Sequence, residues 1–146
     1  MKITPSVPLS RYLSQKNRTG RPPNPTTCIT QGAELVSPAD LSGLSGLLPQ
    51  VKQKAVGITD SERLRRRIDL LVLFFQETQA QGGTPERREV ALVLFYFLKG
   101  FDMIPDSIPQ IGLLDDALLV ETALNRNLAA LRAHWAATQR VFPENP

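Results

Sequence analysis

Acidic residues are missing from the first 33 positions of this 146-residue chain, and cysteine and histidine occur once each. With Cys28 alone, no disulfide can close within the chain, and a reducing compartment is the simpler setting. With Cys28 and His134 as the only thiol and imidazole, no zinc site of several Cys and His ligands can be built within one chain, and most catalytic dyads and triads are excluded. The first 30 residues have no apolar run of the about 7 to 15 residues that a secretory signal needs, so none is expected. The uncharged apolar run Val90 to Leu98 has nine residues, against roughly 20 for a spanning helix, and Arg87, Arg88 and Lys99 flank it. No useful stretch alternates with period two, and there is neither a nucleophile elbow nor a phosphate-binding glycine loop.

What is there divides unevenly. Residues 1–33 carry five basic residues and no acid, a charge of +5, whereas residues 34–146 carry 12 basic and 14 acidic residues, a charge of −2. The basic character belongs to the tail. Residues 1–36, with Pro5, Pro8, Pro22, Pro23 and Pro25 among Ser, Thr, Asn and Gln, read as a disordered basic tail. Leu9, Tyr12 and Leu13 form a short amphipathic patch able to dock, and the acid-free composition also has the look of a transit peptide. Residues 37–142 read as one helical domain, and residues 143–146 as a frayed end.

The helical grammar is local. Ser37-Pro38-Ala39-Asp40 places a cap, a first-turn proline and an acid in order, and Gly43, Gly46 and Pro49 predict that this helix is short, with a second weak segment from Gln50 to Val56. Thr59 and Glu62 form a capping box for a helix near 60–81, on which Leu64, Ile68, Leu71, Val72 and Phe75 share a face that Leu70, Leu73 and Phe74 widen. Gly82-Gly83 ends it, and Thr84-Pro85-Glu86 starts a helix over 85–99 that buries Val90, Ala91, Val93, Leu94, Phe97 and Leu98. A last helix near 115–140, capped by Asp115 or Asp116, carries Ala117, Val120, Leu124, Leu128, Leu131 and Trp135 as its stripe. The expected fold is all-α, a small bundle of three principal helices with a Pro/Asp-rich turn between the last two.

That turn is built on Gly100, Pro105, Pro109 and Gly112, and Pro105 forbids a continuous helix. Its carboxylates, Asp102, Asp106, Asp115 and Asp116, have two readings. They cap helix ends and loose amides, which explains each without a ligand. Alternatively they converge on a hard cation such as Mg²⁺ or Ca²⁺, as a cation sensor or metal-dependent enzyme, although the spacing is not that of a 12-residue calcium loop. Arg63, Arg66 and Arg67 share one side of their helix, a face for anionic lipid or another anionic partner. The bland version is a solvated face paired with Glu62 and Asp69. No aromatic residue is interleaved with these arginines, which argues against nucleic acid. His134 reads as solvent-facing, and Glu121 as half-buried beside an arginine.

The spacing Asp-x-x-Pro-Asp-x-x-Pro-x-x-Gly-x-x-Asp-Asp, carried by Asp102, Pro105, Asp106, Pro109, Gly112, Asp115 and Asp116, resembles the signature of the YkvA-like family, a bacterial and archaeal domain of unknown function. The resemblance covers roughly residues 47–125, and Gly100 stands where the family has proline. It implies a compact helical domain, often described as membrane-associated, and brings no catalytic activity. The functional expectation is a non-enzymatic module that meets a membrane surface or a protein partner, a second copy included, in the cytoplasm and peripheral to the membrane.

Overall fold

The computed structural model describes residues 8–9, 11–12, 24–59, 61–103, 109–144 and 146, and of residues 99–103 and 109–115 the backbone alone. Among the described residues there are six α-helices and no strand: α1 (Pro25–Ala33), α2 (Pro38–Val56), α3 (Glu62–Glu77), α4 (Pro85–Met103), α5 (Pro109–Arg126) and α6 (Leu128–Ala137), with a 3₁₀ turn at Gln79–Gln81. α4 is the axis. It packs against α1, α2, α3 and α5, while α6 follows from α5.

The centre of α4 explains this arrangement. Every residue from Val90 to Phe97 is buried. A helix apolar on all sides must be enclosed on all sides, and burying each large side chain favours the folded chain by about 1.5–3 kcal/mol before ordering costs. The run therefore faces inward among neighbours of the same chain. Among the described residues no helix is long and apolar enough to cross a membrane.

α1 lies inside the stretch expected to be a tail. Asn24 Oδ1 accepts from the Thr27 amide at 3.1 Å, Pro25 sits in the first turn, and Cys28, Ile29, Gly32 and Ala33 form a buried face. Three of those four residues are small, so the stripe leaves little hydropathic trace. Smallness is what the packing needs, because a Cβ on Gly32 would stand 2.4 Å from Leu92 Cδ2 and 2.8 Å from Tyr12 Cε1.

α2 also departs from expectation by running unbroken through Pro49 for 19 residues. Its start is the expected one: Asp40 N donates to Ser37 Oγ at 3.1 Å, and Ser37 N donates to Asp40 Oδ2 at 2.9 Å. Pro49 is exposed, so the carbonyl four residues back loses its partner on the wet side of the helix, where water replaces the bond. At the start of α3, Ser61 rather than Thr59 is the cap, its Oγ accepting from Leu64 N at 3.1 Å. Thr84 caps α4 as expected, accepting from Arg87 N at 3.3 Å.

The three-helix bundle is thus too simple a description. α4 continues to Met103 and α5 already begins at Pro109, so Gly100 and Asp102 belong to α4, and Pro109, Gly112, Asp115 and Asp116 belong to α5. Asp115 and Asp116 cannot be N-caps, because α5 starts six residues before the first of them. Pro105 and Asp106, with the rest of 104–108, lie outside the described residues. The expected single last helix breaks at Asn127, where φ is −110° and ψ 17°.

Candidate interaction surface and its supports

α3 turns Leu64, Ile68, Leu71, Val72, Phe74 and Phe75 into the core. On its outer arc, Arg63 and Arg66 are exposed, and Leu70 and Leu73, at four and seven residues from Arg66, are half-buried against the core edge. Residues three, four and seven apart stack on one side of a helix, so two guanidinium groups and two leucines share one open strip. Among the described residues Arg63 and Arg66 make no hydrogen bond or ion pair.

Arg67 departs from the expected trio. Its side chain is largely covered and lies 4.0 Å from Glu121 Oε2, while its Nε donates to the Pro146 carbonyl at 3.1 Å. Glu121 thereby finds the arginine partner that the sequence leaves unnamed, but its side chain is exposed rather than half-buried. One residue further round the helix than Arg66, Arg67 faces α5 instead of solvent.

The C-terminal end of α3 is clasped twice. Arg87, buried at 3% exposure, sends Nη1 to the Gly82 carbonyl at 2.6 Å and Nη2 to the Phe75 carbonyl at 3.2 Å, with its guanidinium 4.3 Å from the Phe75 ring centroid. Burial pulls its pKa below the usual arginine value, yet the group satisfies carbonyls that the helix end leaves open. Gly82, at φ 71°, takes a left-handed conformation suited to glycine.

The second clasp comes from α6 and the turn that follows it. His134 Nε2 lies 2.8 Å from Glu77 Oε1, and Arg140 Nη2 donates to the same oxygen. The hydrogen bond from His134, then that from Arg140, holds the Glu77 carboxyl below the usual carboxylate range. Arg140 is aimed by a Schellman turn: its N–H reaches the Trp135 carbonyl at 2.9 Å, Gln139 N reaches Ala136 O at 3.0 Å, and Gln139 has φ 60°. Its guanidinium covers the Trp135 ring at 4.9 Å, and Phe142 meets the same ring edge-on at 5.4 Å. His134 is therefore a fastening between helices rather than a free solvent group. Glu77 and His134 lie 57 residues apart, and no sequence spacing could have joined them.

A third polar cluster fixes the α5–α6 break. Glu89 receives Arg126 Nε at 2.9 Å and Nη2 at 3.2 Å, and Asn127 Nδ2 donates to Ala123 O at 2.9 Å and to Glu89 Oε1 at 3.4 Å. The bond to Glu89 raises the Arg126 pKa.

Near the amino end, Leu9 is fully buried and joins the core, while Tyr12 is half-buried and donates from its hydroxyl to the Cys28 carbonyl at 2.8 Å. Burial, reinforced by Cys28, pushes the Tyr12 phenol above its ordinary pKa.

The four aspartates are less defined. Asp102 sits in the last turn of α4 and Asp115 and Asp116 side by side in α5, with the Asp116 side chain buried. The side chains of Asp102 and Asp115, and all of Asp106, lie outside what is described. Among the described residues no three His, Cys, Asp or Glu side chains gather as a metal-binding set.

A family model described as "Protein of unknown function (DUF1232)" matches residues 87–121, which run from the first turn of α4 into α5. No curated protein and no solved structure matches the chain.

Proposed function

We propose that this chain is a YkvA-like, non-enzymatic helical module that rests on an anionic membrane surface through the outer strip of α3. The observation that carries this reading is the alignment of exposed Arg63 and Arg66 with half-buried Leu70 and Leu73. Guanidinium groups attract anionic headgroups, each near-surface cation contributing about 1 kcal/mol, and leucines beside them enter the interfacial layer. The five cations of residues 1–33 add to the same attraction. The apolar helices are occupied internally, so contact rests on this strip and on charge.

Sedimentation with vesicles tests it. The protein pellets with vesicles containing phosphatidylserine, less so as salt rises, and stays in solution with neutral phosphatidylcholine vesicles. R63E/R66E lowers binding several-fold while leaving the thermal melt in place. A protein indifferent to anionic vesicles, or bound equally after that double change, refutes the reading.

A second reading keeps Asp102, Asp106, Asp115 and Asp116 as a Mg²⁺ or Ca²⁺ site, supported by the recurrence of four oxygen-bearing carboxylates within one short stretch of sequence. Calorimetric titration with Mg²⁺, Ca²⁺ and Mn²⁺ decides it, and no heat of binding at millimolar cation removes it.

A further inference from the structure

Charge is ordered along α3. On its outer arc Arg63 and Arg66 lie in the amino-terminal half, Asp69 and Leu70 flank the midpoint of the helix Glu62–Glu77, and Leu73 and Glu77 follow in the carboxy-terminal half. Residues three, four and seven apart stack on one side of a helix, so Arg66, Asp69, Leu70 and Leu73 form one continuous strip with Arg63 and Glu77 toward its ends. Arg63, Arg66 and Asp69 are exposed, and Leu70 and Leu73 are half-buried. Among the described residues Asp69, like Arg63 and Arg66, makes no hydrogen bond or ion pair.

A strip with cations toward one end and carboxylates toward the other is complementary to itself when turned end for end. Two copies of α3 laid antiparallel, about an axis between Asp69 and Leu70, bring the leucines of both copies together at the centre. Each Arg66 then lies across from Leu73 of the second copy, one turn from its Asp69, so the stem covers leucine while the guanidinium meets the carboxylate. Each Arg63 meets the carboxy-terminal end of the other helix, where the dipole is negative and Glu77 adds a carboxylate. A two-fold axis makes every one of these contacts twice. The parallel arrangement would set arginine on arginine. The strip is one helix wide and, with 16 residues, about 24 Å long. Such a patch falls below the roughly 1,200 Å² of a stable interface, so the pair forms and parts readily.

From this order we propose that the outer strip of α3 is a self-recognition surface on which a second copy of this chain docks antiparallel, with reciprocal Arg66–Asp69 pairs around Leu70 and Leu73. The pairing needs no lipid and does not rest on the membrane reading. A strip engaged in it is closed to other partners, so self-association and vesicle contact exclude one another.

Sedimentation velocity without lipid, from low micromolar to several hundred micromolar chain, tests it. The unaltered protein passes from monomer to dimer across that range. R66D and D69R each weaken the dimer at least tenfold, because each sets like charges opposite one another twice, and their thermal melts match the parent since both positions are exposed. An equimolar mixture of the two variants restores the dimer, as both pairs reform with exchanged signs. A chain that stays monomeric throughout, a dimer indifferent to either reversal, or a mixture without rescue overturns the proposal. Vesicles keep the two readings apart: D69R adds a cation, so it breaks the pair while strengthening binding to phosphatidylserine vesicles. A rescued dimer from a chain that ignores those vesicles removes the membrane reading and leaves this one standing.

Discussion

α3 and α4 are both rich in Leu, Val and Phe, yet α4 hides every side chain from Val90 to Phe97 while α3 leaves Leu70 and Leu73 partly in water beside Arg63 and Arg66. The difference lies in their neighbours. Neighbours enclose α4 over the whole of Val90–Phe97, whereas α3 meets α2, α4 and α5 along its length and α6 only at its end, and keeps one side open. Apolar content alone therefore says little about exposure: eight of the nine uncharged residues of α4 are ordinary interior, whereas the mixed strip of α3 stays open to solvent.

The sharpest way to break this contrast is truncation. Phe97→Ala and Leu94→Ala in α4 should each cost about 3–5 kcal/mol, a large share of a small domain's stability. Leu73→Ala on the open arc of α3 should cost below about 1 kcal/mol. Urea denaturation reads both, and equal losses would erase the distinction between a sealed and an open helix.

Next in size is the clasp that joins the two helices. Arg87→Met keeps most of the stem packing but strips the Phe75 and Gly82 carbonyls of their donor, and a loss of about 2–3 kcal/mol is expected from the same urea curves. An unchanged midpoint would mean that α4 does not secure the end of α3.

A smaller effect comes from the turn after α6. Gln139 holds φ 60°, a conformation that glycine adopts freely, so Gln139→Gly should stabilise by about 0.5–1 kcal/mol and Gln139→Val should destabilise, as read by thermal melts. The smallest is a matter of pH. The Glu77 pKa is depressed in the folded chain, so its contribution is complete above the ordinary carboxylate range and disappears as pH falls through the lowered value. Trp135 fluorescence should therefore change on acidification below about pH 4.5, and Glu77→Gln should remove that step.

How much of this was legible in the sequence follows from how local each signal is. The caps at Ser37 and Thr84, the faces of α3 and α4 and the all-helical class rest on residues within a turn or two of each other, and they appear where expected. α1 was hidden because Cys28, Gly32 and Ala33 pack by being small, which hydropathy does not register. Pro49 misled because a proline on an exposed side leaves its orphan carbonyl to water. Of the arginines that share a side by helical spacing, Arg63 and Arg66 are exposed, while Arg67, one residue further round, turns toward Glu121. The Glu77–His134–Arg140 and Glu89–Arg126–Asn127 groups join residues from distant helices, and only folding brings them together.

Asn127 also sets a rule of length. Because Glu89 grips the chain at Arg126 and Asn127, the phase of α6 is counted from that point, and Trp135 reaches its place among Phe142 and Arg140 eight residues later. Each residue added or removed within α6 would swing the indole by about 100° around the helix. The distance from the joint to the tryptophan thus behaves as a fixed ruler.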